Sequence, residues 1–341
     1  MKVLAFGELM MRLVPEQQLR LEQASRLDVS FGGAEANTVA SLSLQGDEAV
    51  FFTAVPLNRL GDCALRSLQS YGVDIAGVLR RPGRLGMYCF EPGASERGNS
   101  CLYDRAGSVF SCLAESDVAW DELLDGVDVL YASGITPALS SGMARICEEG
   151  FRLARKRKIA TVFDVNYRGK LWSARDAQTT AKRLLPYVDT LIANDEDVPL
   201  GLGLDCVTGD LSCGIDERLG YVEMARLICG RYGVKRVASV IRNVRCTDRS
   251  QWMGMLYEAN EGVHCFSRVH DVHVLEGEGA GDAFNAGLIH AMLHEMDVQG
   301  SIDYAVAAAA LKLAIRGTVN VAKASEIAAL ASYGAEKRIE R

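Results

Sequence analysis

From residue 127 onward the chain alternates short apolar runs with amphipathic ones, and that rhythm restricts its fold more than any other feature. Residues 127–132, 159–163, 190–193 and 236–241 read as buried strands. Residues 140–157 and 221–232 read as helices, the first ending in the basic run Arg155-Lys156-Arg157-Lys158, which suits the negative end of a helix dipole. Residues 2–6 and 49–55 are further strands. Two helices follow from the apolar spacing of Val39, Ala40, Leu42 and Leu44 and of Leu65, Leu68 and Tyr71. Strands joined through helices lie parallel in one sheet with helices on both faces, so the expected class is α/β, a doubly wound and mostly parallel sheet.

Two segments fall outside the rhythm. Residues 10–14 form a short strand before an irregular polar stretch. Residues 85–91 and 100–105 alternate apolar with polar positions and flank a turn rich in Gly, Ser, Glu and Arg, which signals a hairpin. We therefore expect an α/β core over 1–9, 36–84 and 111–341, with a β lid built from 10–35 and 85–110. A lid excludes water from a reacting site. Its exposed strands could pair with a second lid, giving a homodimer or a higher homo-oligomer.

The formal net charge is −7, which leaves no basic footprint for nucleic acid. The first eight residues are too short an apolar run for a signal peptide, and no stretch nears the ~20 apolar residues of a membrane span. The 10 cysteines include no C-x-x-C pair and no Cys/His cluster at zinc spacing, which fits reduced thiols in a cytoplasmic protein.

The chemistry concentrates in one stretch. A β-type run at 272–275 enters a turn with Gly277, Gly279 and Gly281, and a helical pattern follows over 283–293. Glycines there let the backbone approach a ligand, and the first N–H groups of a helix attract an anion. Asp282 stands at that positive end, where a carboxylate can take a proton from a hydroxyl while the amides hold a phosphate. A simple helix N-cap accounts for the spacing equally well. A Gly32-Gly33 turn opens the helix that carries Asn37; it reads as a close backbone approach or as a plain tight turn. Tyr103 and Arg105 share a face of an alternating strand; they suit an acid sugar, or equally a solvated lid strand. Asp164, Asn166 and Arg168 follow a strand at its C-terminal end, where α/β sheets bind ligands. Asn194 and the acids Glu196 and Asp197 follow the next strand; they suit a hard cation such as Mg²⁺, or an acidic helix cap.

Gly279-Ala280-Gly281-Asp282-Ala283-Phe284 resembles the C-terminal signature of the PfkB/ribokinase family of sugar kinases, and Gly32-Gly33-Ala34-x-x-Asn37 resembles the N-terminal one. The resemblance implies a ribokinase-like fold, Asp282 as catalytic base, and the backbone of Gly279, Ala280 and Gly281 as an anion hole. It also implies Gly33 and Asn37 at the sugar-binding face. Gly86-x-Tyr88, Tyr103-x-Arg105-x-Gly107-Ser108 and Asp164-x-Asn166-x-Arg168 resemble the 2-keto-3-deoxygluconate kinases of that family. They imply an acid sugar held by Tyr88, Tyr103, Arg105, Asn166 and Arg168.

The same resemblance implies ATP and Mg²⁺, with the metal and phosphates near Asn194, Glu196 and Asp197, Glu276 as a further carboxylate, and Asn320 in a loop closing the nucleotide pocket. Two segments depart from the family: residues 242–248 lack the usual glycines, and Glu276-Gly277-Glu278 places two acids beside the expected phosphates. The expected activity is ATP-dependent phosphorylation of the primary hydroxyl of 2-keto-3-deoxygluconate. A neutral sugar such as fructose, a nucleoside, or a catalytically silent sugar-acid-binding protein are the alternatives.

Overall fold

A computed structural model of the chain describes residues 1–205 and 210–333. The last residues assigned to the α/β core, 334–341, lie outside the described residues.

The main sheet has nine strands. Glu48–Phe52, Lys2–Phe6, Val129–Ser133, Ala160–Asp164, Thr190–Ile192 and Arg236–Cys246 lie side by side and parallel. Arg249–Glu258 then turns back antiparallel, and both Val263–Phe266 and His270–His273 pair with it. The central strands are apolar on both faces because both faces are covered. On one face Phe6 packs at 5.3 Å from the Trp120 ring, with Phe151 and Phe163 in the same cluster. On the other face the sheet supports the helices Ala34–Leu44, Ala280–Leu293 and Val298–Leu313. The α/β class and the mostly parallel sheet read from the sequence are the observed ones.

A separate four-stranded sheet takes Leu27–Gly32, Met10–Pro15, Met87–Glu91 and Ser100–Asp104 in that order. Its middle pair, Met10–Pro15 with Met87–Glu91, is parallel; the outer pairs are antiparallel.

Three local expectations change. Residues 242–248, read as a loop, extend the strand Arg236–Cys246 into a long hairpin whose tip reaches the small sheet: the Thr247 amide donates to the Ser95 carbonyl at 3.0 Å and its hydroxyl to the Arg97 carbonyl at 2.9 Å. The run at 272–275 is a strand only over His270–His273, because the Leu275 and Glu276 amides turn to the Leu313 carbonyl. The Ala-rich run at 305–315 reads as a helix in the sequence; the observed helix starts earlier and spans Val298–Leu313, opened by Asp297, whose side chain caps the Gly300 amide at 2.7 Å.

Candidate active site

The parallel strands end on one edge of the sheet, and the segments that follow them meet the glycine turn and the small sheet around a cleft of about 290 Å³. The helix Ala280–Leu293 points its N-terminus into this cleft. Its N-cap is Gly279, with φ 81°, and no side chain caps it. A Cβ at Gly279 would lie 1.9 Å from the Thr318 carbonyl oxygen, so both the left-handed backbone and the space demand glycine. Gly33 is in extended backbone, and its need is purely steric: a Cβ would lie 2.0 Å from the Glu8 carbonyl oxygen.

Asp282 is therefore not the cap. It sits in the first turn, and its Oδ2 accepts a hydrogen bond from Asn37 Nδ2 at 2.7 Å. Asn37 Oδ1 in turn accepts from the Thr318 hydroxyl at 2.9 Å, which fixes the amide's orientation. Burial pushes the Asp282 carboxyl up to about 7; the Asn37 hydrogen bond and the charge of Arg168 oppose that shift, and Glu35 and Glu278 reinforce it. A carboxylate beside uncapped amides, poised near neutral pH, can accept a hydroxyl proton while the helix start holds developing negative charge.

Glu276 and Glu278, the pair that looked hostile to phosphate, are neutralised from the small sheet. The Arg12 guanidinium pairs with Glu276 and, through Nε at 2.7 Å, with Glu278. Arg12 also lies over the Phe90 ring at 5.0 Å. The Tyr88 hydroxyl hydrogen-bonds Glu278; burial first, and then that carboxylate, holds Tyr88 far above its ordinary value. Glu276 Oε2 accepts from the Gly317 amide at 3.1 Å, so this carboxylate ties the glycine turn to the next loop. Beneath the turn, fully buried Lys312 donates to the carbonyls of Glu276 at 3.3 Å and Ile315 at 3.1 Å. Burial lowers its ammonium to about 8.

Arg105 reaches the cleft wall with most of its fork already engaged. Nε donates to Glu8 Oε2 at 2.8 Å, Nη2 contacts the same oxygen, and the Ser108 hydroxyl holds the other. Buried Glu8 takes Nε and Nη2 of the fork as its counter-charge, while Arg105 still lines the cleft. Arg168 is different: it is exposed, lines the cleft, and has no ion-pair partner among the described residues. Tyr88 and Tyr103 face each other with ring centroids 5.6 Å apart in the same wall. Arg242 adds an exposed guanidinium, 5.6 Å above the Trp252 ring.

The acids divide in the same way. Asp197 is buried, and both oxygens accept backbone amides, from Tyr167 at 2.7 Å and Asn194 at 2.8 Å. The alternative of an acidic turn cap describes this geometry, and Asp197 also lines the cleft. Asn194 accepts the Val240 amide at 2.9 Å through its side chain and lines the cleft. Asp195 and Glu196 line the cleft. Asp164 is buried; Oδ2 accepts from Asn285 at 2.8 Å and Asn166 at 3.3 Å, while Oδ1 has no partner. Burial, then the charge of Asp197, raises it to about 8. Asn166 itself takes a left-handed φ of 38° and lines the cleft. Asp164 keeps one buried oxygen without a partner, and Asp195 and Glu196 are further acids that line the cleft; carboxylates suit a hard divalent ion. Asn320 is buried and is not among the residues lining this cleft; it donates to the Ala308 carbonyl at 3.0 Å and accepts from the Ala322 amide at 3.1 Å, which holds a turn.

Sequence reasoning missed Arg12, Glu8, Lys312, Arg242 and Thr318. Arg12 carried a signal, a lone charge inside an apolar strand opposite two uncompensated acids. Thr318 and Lys312 carried none.

A model of the pfkB family of carbohydrate kinases matches residues 1–203 and 253–324. The unmatched interval, 204–252, contains the hairpin's first strand and its tip, the same place where the glycines were missing. A 2-dehydro-3-deoxygalactonokinase of Haloferax volcanii is 29% identical over 96% of this chain and 95% of its own. A 2-dehydro-3-deoxygluconokinase of Thermoproteus tenax is 26% identical over 92% and 89%. The crystal structure of a 2-dehydro-3-deoxygluconokinase of Thermotoga maritima superposes with a TM-score of 0.93 at 37% identity, covering 97% of this chain and 98% of that one.

Proposed function

Given that the chain belongs to the pfkB family of carbohydrate kinases and is a sugar kinase, we propose that it transfers a phosphoryl group from ATP to the primary hydroxyl of 2-keto-3-deoxygluconate, the compound also called 2-dehydro-3-deoxygluconate. The observation that carries the chemistry is the Asp282–Asn37 pair at the uncapped start of the helix Ala280–Leu293. Asn37 holds the carboxylate toward the cleft, Asp282 takes the hydroxyl proton, and the amides of Gly279, Ala280 and Gly281 steady charge on the group in transit. Mg²⁺, bound on the cleft wall near Asn194, Asp195 and Glu196, would supply charge neutralisation at the donor phosphates. Glu278 is kept from repelling those phosphates by Arg12 and Tyr88.

Arg168, exposed at the cleft without an ion-pair partner among the described residues, supports an anionic acceptor and is the group that meets its carboxylate. Tyr103 and Asn166 offer hydrogen bonds to sugar oxygens, and Tyr88 supports the wall behind them. The small sheet acts as a lid that keeps water from the donor. The Haloferax relative favours a second reading, the galacto epimer of the same acid. A coupled ADP-release assay with ATP and Mg²⁺ on both epimers, fructose and a nucleoside tests the proposal. Turnover of the gluco acid well above all others is expected. Faster turnover of fructose or of the nucleoside rejects the acid-sugar reading.

A further inference from the structure

The far end of the catalytic helix carries a second polar cluster that phosphoryl transfer does not use. His290 and His294 stand four residues apart at the C-terminus of Ala280–Leu293, so they share one face. Counting 1.5 Å per residue from Asp282 puts His294 about 18 Å from the base. Between the two rings lies Asp47, from the turn that joins the helix Ala34–Leu44 to the strand Glu48–Phe52. Asp47 Oδ2 is 2.7 Å from His290 Nδ1, and Oδ1 is 3.1 Å from His294 Nε2. One ligand atom from each of the three residues lies within 4.8 Å of the others.

Three features separate this cluster from an ordinary surface hydrogen bond. The Asp47 side chain is only 4% exposed, and both of its oxygens face imidazole nitrogen, with no lysine or arginine paired to it among the described residues. His290 is held rigidly: its ring stacks on Tyr304 at 4.9 Å and on His294 at 4.2 Å, and the Tyr304 hydroxyl is anchored to Gln45 at 3.0 Å. The His294 side chain is 54% exposed, which leaves a route for an ion and room for water.

Two neutral imidazoles and one carboxylate make the donor set of an open, three-ligand site for zinc or a similar late transition ion. Tetrahedral zinc at ~2.0–2.1 Å from each ligand needs ligand atoms about 3.4 Å apart, which lies inside the 4.8 Å that bounds the three ligand atoms here. The ion would also sit at the negative end of the helix dipole, where positive charge is favoured. We propose that Asp47, His290 and His294 form a divalent transition-metal site, distinct from the Mg²⁺ position in the cleft, that clamps the C-terminus of the catalytic helix to the turn before Glu48. Binding needs no redox change; each neutral imidazole gives the lone pair of the nitrogen that faces Asp47 and carries its single proton on the other ring nitrogen, while a ring that was imidazolium releases one proton to solvent.

The test uses the full chain, stripped with a chelator and titrated with zinc by calorimetry against a competing chelator. His294→Ala serves as the site variant, because its exposed ring can be removed without opening the core; Asp47→Asn is the second. The comparison isolates this site from zinc held by thiols or by the cleft acids, which both variants keep. The wild-type chain is expected to hold one zinc equivalent more than His294→Ala, or to hold that equivalent about 100-fold more tightly, at least the upper end of what outer-shell changes cost. Its melting temperature should rise with zinc while that of His294→Ala does not, and Mg²⁺-supported turnover of His294→Ala without zinc should equal wild type. Equal zinc stoichiometry and affinity in the wild type and both variants overturns the proposal, as does a wild-type chain that holds no zinc.

Discussion

Replacing Arg105 by alanine separates its two roles. Its guanidinium is the counter-charge of Glu8, whose side chain is 2% exposed, and Ser108 supplies the remaining oxygen's hydrogen bond. Removing the arginine leaves a carboxylate buried with one hydroxyl partner. Breaking a buried pair from one side costs about 3–5 kcal/mol. Unfolding entropy of ~2.1 cal/mol/K per residue over 341 residues is about 0.7 kcal/mol/K, so the expected loss in melting temperature is ~4–7 °C. The double variant Glu8→Gln/Arg105→Ala removes the stranded charge and should recover part of that loss, a coupling of about 1–3 kcal/mol. Scanning calorimetry on the wild type, both single variants and the double variant measures this. An Arg105→Ala chain that melts within about 1 °C of wild type while losing affinity for the acid sugar refutes the reasoning. Arg105 would then be a substrate ligand whose contact with Glu8 is incidental.

Three further outcomes follow from the site. Arg168→Ala should raise KM for the acid sugar about 10-fold or more with little change in melting temperature, since an exposed arginine without an ion-pair partner leaves nothing stranded; steady-state kinetics with paired melting curves checks it. The log of kcat/KM should rise with slope one toward pH 7 and level off above it, because burial raises Asp282 to about 7 and only its ionised form accepts a proton; a profile flat from pH 5.5 to 8 contradicts the assignment. Gly279→Ala should cost at least about 1–3 kcal/mol, since it meets both a left-handed backbone and the Thr318 carbonyl, and chemical denaturation measures it.

Local pattern carried the sheet and the glycine turn. Val3, Leu4 and Ala5 are fully buried in a strand covered on both faces, and such strands announce themselves as continuous apolar runs. Asp282 was legible because its partners in function, the amides of its own helix start, are neighbours in sequence. Asn37 was placed near a sugar by resemblance, yet its observed bond to Asp282 spans 245 positions. The same distance problem hid Arg12, which reaches Glu276 across 264 residues, and Glu8, which reaches Arg105 across 97. Charge counting along the chain made Glu276 and Glu278 look repulsive because their cation comes from another sheet. Asp197 shows the converse: its type suited a metal ligand, but local backbone amides satisfied it first. Residues 242–248 read as a loop because the family resemblance places its nucleotide loop after the strand at 236–241. The antiparallel register with 249–258 holds them as strand, and no single-strand pattern reports a partner.

The most direct test is kcat for Asp282→Asn with the acid sugar and ATP, measured on protein whose melting curve matches the wild type. Asparagine keeps the size and the contact to Asn37 but cannot accept the proton, so kcat should fall by about 10²–10⁴-fold while KM changes little. Turnover within a factor of about 3 of the wild type would contradict the account and move the proton acceptor elsewhere in the cleft.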